Sequence, residues 1–210
     1  MADWVTISAL ATAGGTLALA ATTYASVRSA NRASRVAEQA LLANLRPLLV
    51  ESAENDPTQH VNFVDVTALP VPGGGAFVGE VDGGLFVVLS LKNVGPGIAV
   101  LHGGLVYPDY VPARGDHAPV ESMRMLQRDL YIEPGGVGYW QVAFREETEE
   151  RRELQATIGD GAVSVEILYG DYEGGQRMIT RYAVRLVGGQ WQVSTIRHWQ
   201  LDRQDVRPRD

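Results

Sequence analysis

Four histidines, His60, His102, His117 and His198, are the only imidazoles in the chain, and there is no cysteine. Disulfides, thiolate zinc sites and cysteine nucleophiles are therefore excluded. No histidine stands at a metal-ligand spacing from another histidine or a carboxylate on one strand face. The best acid–base or metal constellation the residue types allow is His102, Asp109, Asp116 and His117, gathered around one loop. Isolated loop histidines are the bland alternative. No Gly-x-Ser-x-Gly elbow, P-loop or zincin motif occurs. Trp191, Trp199 and Tyr182 offer an aromatic binding strip, although aromatics on strands more often fill cores. The residues thus predict no enzyme, no cofactor and no metal.

The elements that would carry these residues divide the 210-residue chain in two. From Trp4 to Val27 there is no charged residue. The twenty steps from Trp4 to Tyr24 cover about 30 Å of helix, roughly a bilayer's hydrocarbon thickness. Trp4 and Tyr24 fall where interfacial aromatics sit, and Arg28, Arg32 and Arg35 follow. These five residues are read as a single-pass membrane anchor over 1–27. By the positive-inside rule the C-terminal domain lies in the cytoplasm. A signal peptide cleaved after Ala18-Leu19-Ala20, a soluble packed helix and an interfacial helix are the rivals. Thr6, Ser8, Thr12, Thr16, Thr22 and Thr23 are tolerated in a span because serine and threonine hydroxyls can return to helix carbonyls.

The helix continues over 28–46, with Arg28, Arg32, Arg35 and Arg46 on one face and Ala30, Ala33, Ala37, Ala40 and Leu41 roughly opposite. The arginine stripe suits anionic headgroups or plain solvent. The alanine seam suits a second copy of the helix, giving a homo-oligomer. Pro47 ends it.

Residues 47–201 read as one β-rich domain and 202–210 as a charged tail. Strands are expected at Leu48–Ser52, His60–Leu69, Ala76–Val81, Leu85–Lys92, Ile98–Tyr107, the end of Glu121–Ile132, and Val137–Phe144. The last three, Val163–Tyr169, Met178–Leu186 and Trp191–Trp199, form a meander. Asp82-Gly83-Gly84 is a hairpin turn, Glu133-Pro134-Gly135-Gly136 a type II turn, and His102-Gly103-Gly104 a bulge. Arg145–Gln155 is the one helix of the domain, its acids ahead of Arg151 and Arg152, and is read as a solvated connector. Short strands with glycine-rich turns predict an immunoglobulin-like two-sheet β-sandwich, with a barrel as alternative.

The net charge of −7 argues against nucleic acid as a partner. One lysine, Lys92, against seventeen arginines fits the coding bias of a GC-rich bacterial genome.

Leu-Arg-Pro closing a basic helix, Leu91-Lys92-Asn93-Val94-Gly95-Pro96-Gly97-Ile98-Ala99 after a strand, and Tyr169-Gly170-Asp171-Tyr172-Glu173-Gly174 entering a hairpin are the stretches that carry a resemblance. The chain resembles a loose group of uncharacterised single-span bacterial proteins with a β-sandwich domain. The resemblance implies the layout and no activity. The function expected is a membrane-anchored, non-enzymatic binding or scaffold protein with an unknown protein partner. The alternative is an extracytoplasmic domain binding envelope glycan or a small molecule.

Overall fold

The computed structural model describes residues 3–65, 68–112 and 115–202, with backbone alone at 5 and 6. Most of the expected 202–210 tail, and residues 113 and 114 of the loop after Tyr107, lie outside the described residues. The chain divides into two units, 1–43 and 44–210.

The first unit is a single uninterrupted helix, α1 (Trp4–Leu45). The threonine hydroxyls bond back along it: Thr12 to the Ser8 carbonyl and Thr16 to that of Thr12, both at 2.9 Å, and Thr22 and Thr23 to that of Leu19. The expectation of a membrane span is corrected here. Among the described residues no helix is long and apolar enough to cross a membrane, so the single-pass localisation is not supported. The reason lies in composition. Between Ile7 and Tyr24 the stretch lacks charge, but alanine, glycine, threonine and serine fill it, and only Ile7, Leu10, Leu17 and Leu19 are large aliphatics. Absence of charge is not apolarity.

The second unit is mainly β. Its strands are β1 (Leu49–Glu51), β2 (Gln59–Val61), β3 (Leu69–Val71), β4 (Gly75–Val81), β5 (Gly84–Asn93), β6 (Ala99–Tyr107), β7 (Arg124–Ile132), β8 (Val137–Phe144), β9 (Ala162–Gly170), β10 (Met178–Val187) and β11 (Gln190–Gln200). A helix, α2 (Glu149–Ile158), joins β8 to β9. Two-residue turns with positive φ close the tight hairpins, at Asp82-Gly83 and Gly188-Gly189, as the right-handed strand twist demands.

The pairing does not separate into the two sheets of an immunoglobulin-like sandwich. Nine antiparallel strands form one curled sheet, a half-barrel, along the path β1-β5-β4-β11-β10-β9-β6-β7 with β8 on β5; β2 and β3 form a small separate pair. The layers are joined where Ala76 and Gly75 of β4 pair with Trp191 and Gln192 of β11. β8 takes one edge of β5 along residues 85–92. β1 and β4 therefore share its other edge, β1 at 91–93 and β4 at 84–89. The two ends of the curled sheet are then β7 and β8.

Alternation places the core. Leu85, Val87, Leu89 and Leu91 of β5, Val163, Val165 and Ile167 of β9, and Tyr182 and Val184 of β10 fill the concave side with Trp140. The opposite face of β5, Phe86 and Val88, is covered by the small β2–β3 pair through Val61, Leu69 and Val71. A strand over His60–Leu69 was expected, broken by Pro70. Instead two short strands pair, and Pro70 sits within β3 opposite His60, at an edge where its missing N–H costs nothing. The outer face of β9–β11 has its own cover, in which Ala118, Val120 and Met123 pack over Leu168, Ile179 and Trp199.

Candidate functional site

The loop constellation does not assemble. His102 stands at the β6 bulge, half-buried, with Asp129, Arg177 and Asp171 as its charged neighbours, and burial lowers its pKa below the ordinary 6.5. His117 lies elsewhere: its Nδ1 is 2.7 Å from the Ala118 carbonyl and its ring meets Trp199 edge-on. Asp109 accepts the Tyr110 N–H, and the Asp116 carbonyl accepts from Arg181. Among the described residues no three His, Asp or Glu side chains gather as metal ligands. The aromatic strip does not form either, because Tyr182 belongs to the concave core and Trp199 to the outer cluster. Trp4, Tyr24, Arg28, Arg32 and Arg35 are all exposed on α1.

Sequence reasoning missed the most buried charges in the domain. Glu166 of β9 and Arg181 of β10 are cross-strand partners, 0% and 2% exposed, with Arg181 Nη2 2.6 Å from Glu166 Oε1. Every polar atom is used. Arg181 donates to the Pro112 and Asp116 carbonyls, both at 2.8 Å. Glu166 Oε2 accepts from the Ala118 N–H and the Tyr107 hydroxyl. Burial and the adjacent carboxylate push the Tyr107 phenol up to about 12. The Arg181 guanidinium also lies 4.9 Å from the Trp199 ring centroid. A buried pair this fully bonded fixes Pro112, Asp116 and Ala118 onto the sheet. A second buried chain fixes β1: the Leu49 N–H reaches the Tyr169 hydroxyl, which meets Thr180 Oγ1, which meets His198 Nδ1. Both networks tie neighbouring segments of the domain together.

The two end strands of the sheet, β7 and β8, are not joined by pairing. β7 and β8 follow one another through the turn at 133–136, where the Gly136 N–H bonds the Glu133 carbonyl. No ladder joins them, since β7 pairs with β6 and β8 with β5. Arginines bridge the gap instead: Arg124 donates to the Ala143 carbonyl at 3.3 Å, and Arg128 to the Tyr139 hydroxyl at 3.4 Å. A cleft of about 170 Å³ opens here, lined by Leu105, Met123, Val142 and Phe144, with Arg124 and Glu150 as its charged residues. Two buried polar atoms on β8 have no partner, Trp140 Nε1 and Gln141 Oε1. The only signal of this seam in the sequence was the glycine pair at 103–104.

No protein-family model matches the chain, and neither a characterised protein nor a solved structure does.

Proposed function

We propose that the chain is a non-enzymatic binding or scaffold protein in which α1 joins copies of the chain and the β domain carries the recognition surface. One observation carries this. α1 is a 42-residue helix whose unit contains no second element to pack against, and Leu19 and Leu41, which share the alanine side at 100° per residue, stand exposed on it. Isolated helices gain most of their stability from packing an apolar face. At 1.5 Å per residue α1 is about 63 Å long. A contact along much of that length reaches the ~1,200–2,000 Å² that specific interfaces bury. Ala30, Ala33, Ala37 and Ala40 let two backbones approach closely, while the arginine face turns to solvent. Joining several β domains raises their apparent affinity for any repeated partner without a new contact.

The test uses the absence of cysteine. Ala37→Cys introduces the sole thiol on the alanine face, and Arg32→Cys the sole thiol on the arginine face. Under mild oxidation the Ala37→Cys chain crosslinks to a dimer within minutes and the Arg32→Cys chain does so at least ~10-fold more slowly, because disulfides need Cα atoms within about 7 Å. Equal rates, or no crosslinking at either position, contradict the proposal.

A further inference from the structure

We infer that the β7–β8 seam receives an extended peptide segment of a partner protein, added as a strand along β8 with one apolar side chain in the cleft. The inference rests on the binding-protein reading of the β domain and is independent of α1. Backbone direction is the first observation. The Ala143 carbonyl accepts from Arg124, so it points away from β5. Peptide groups alternate direction along an antiparallel strand, so Tyr139 and Gln141 present their N–H and C=O groups to the same side. β8 pairs with β5 alone among the described residues, which leaves this row available.

β7 does not supply the missing ladder. Its own register with β6 breaks between Leu101 and Gly103, which pair with Leu130 and Met125. Residues 126–129 thus arch out of the pairing. Two buried polar atoms of β8 have no partner, Trp140 Nε1 and Gln141 Oε1. The Trp140 indole N–H is buried without an acceptor, and its ring abuts Gly104 of the cleft so closely that a Cβ there would lie 2.7 Å from Cζ2. Buried donors without partners are rare enough to need an explanation.

The cleft selects the occupant. Its volume of about 170 Å³ suits a single side chain and excludes a nucleotide or sugar ring system. Leu105, Met123, Val142 and Phe144 give one part of its lining an apolar character, and Ser122, Arg124 and Glu150 make the rest polar. Arg124 and Glu150 carry opposite signs, so a free anion or cation meets one repulsive partner while a neutral peptide backbone meets none. Strand addition uses the same combination elsewhere in proteins: main-chain hydrogen bonds for affinity and a pocket for an alternate side chain.

The full-length chain, immobilised, is panned against a display library of random linear twelve-residue peptides. Recovered peptides are synthesised and measured by fluorescence anisotropy. We expect alternating apolar sequences whose binding slows hydrogen exchange at the Tyr139, Gln141 and Ala143 amides. Ala143→Pro deletes an outward N–H and leaves the ladder to β5 intact; binding falls ~10-fold or more. Should that variant fail to fold, Arg124→Ala decides. It removes the side chain now occupying the Ala143 carbonyl, so peptides bind about threefold tighter, an increase that loss of a merely structural arginine does not produce. Recovery of no binding peptide, unchanged exchange along β8, or unchanged or weaker binding by Arg124→Ala overturns the inference. Crosslinking at Ala37 reads the helix association separately, so the two failures are distinguishable.

Discussion

Arg181 and Glu166 set the largest single-residue penalties in the domain. Arg181→Met leaves a buried carboxylate without its partner and costs about 3–5 kcal/mol. The double variant Arg181→Met, Glu166→Leu removes both charges and costs less than the single one; equilibrium urea unfolding checks the order. Asn93 is a second such point. Its Oδ1 accepts from the Leu48 and Gly95 N–H groups, and its Nδ2 donates to the Gly97 and Ile132 carbonyls. Asn93→Ala strands these groups and is expected to cost about 3 kcal/mol by the same measurement. The turn chemistry of Asn93-Val94-Gly95-Pro96-Gly97 was legible in the sequence. Its role as a bolt was not, because Leu48 and Ile132 are brought to it only by the fold. Glu166 was hidden for a similar reason: it occupies an outward position of a strand, usually solvated, and it is buried there among Tyr107, Ala118 and Arg181, which the fold alone brings together. His102 gives a pH prediction. Its pKa is lowered in the folded state, so its unfolded form takes up the proton first. Its contribution is complete above the ordinary 6.5 and is lost as pH falls below it. His102→Gln flattens the slope of stability in that window, well above the region near 3.8 where Asp56 and Asp202, both held low by partners, act.

At the scale of elements, α2 differs from the solvated connector expected at 145–155. It begins at the Thr148 cap and runs to Ile158. Glu146 and Glu147 therefore precede it. Arg151 is 4% exposed and reaches the Glu80 carboxylate and the Gly83 carbonyl, both at 2.9 Å, so α2 is pinned across the β4–β5 turn. Arg151→Ala is expected to cost about 2–3 kcal/mol, against under ~0.5 for the exposed Arg152→Ala, measured by thermal unfolding. The ion pair with Glu147, at 2.9 Å, was readable from its four-residue spacing. The contact with Glu80 was not, since charge patterning speaks only within an element. Strand identity was legible wherever alternation was strong, as in the β9–β10–β11 meander. Sheet membership was not. The pairing of β4 with β11 involves two residues on each strand, and no local pattern announces that two layers continue into one another.

At the scale of the whole molecule, two features were traded against each other in the N-terminal stretch. Its lack of charge suggested a bilayer, and its small and hydroxyl residues supply too little apolarity to cross one. What remains is a long helix with exposed leucines and an alanine face, followed by a β domain whose buried charges, Glu166, Arg181 and Arg151, are spent on internal ties. Assembly through α1 is the central claim, and sedimentation equilibrium of the full-length chain tests it most directly. The account predicts a single species at an integer multiple, two or more, of 22.8 kDa, returning to the protomer mass in the Ala33→Glu, Ala37→Glu variant. A protomer mass for the unaltered chain, or an assembly that the two glutamates leave intact, contradicts it.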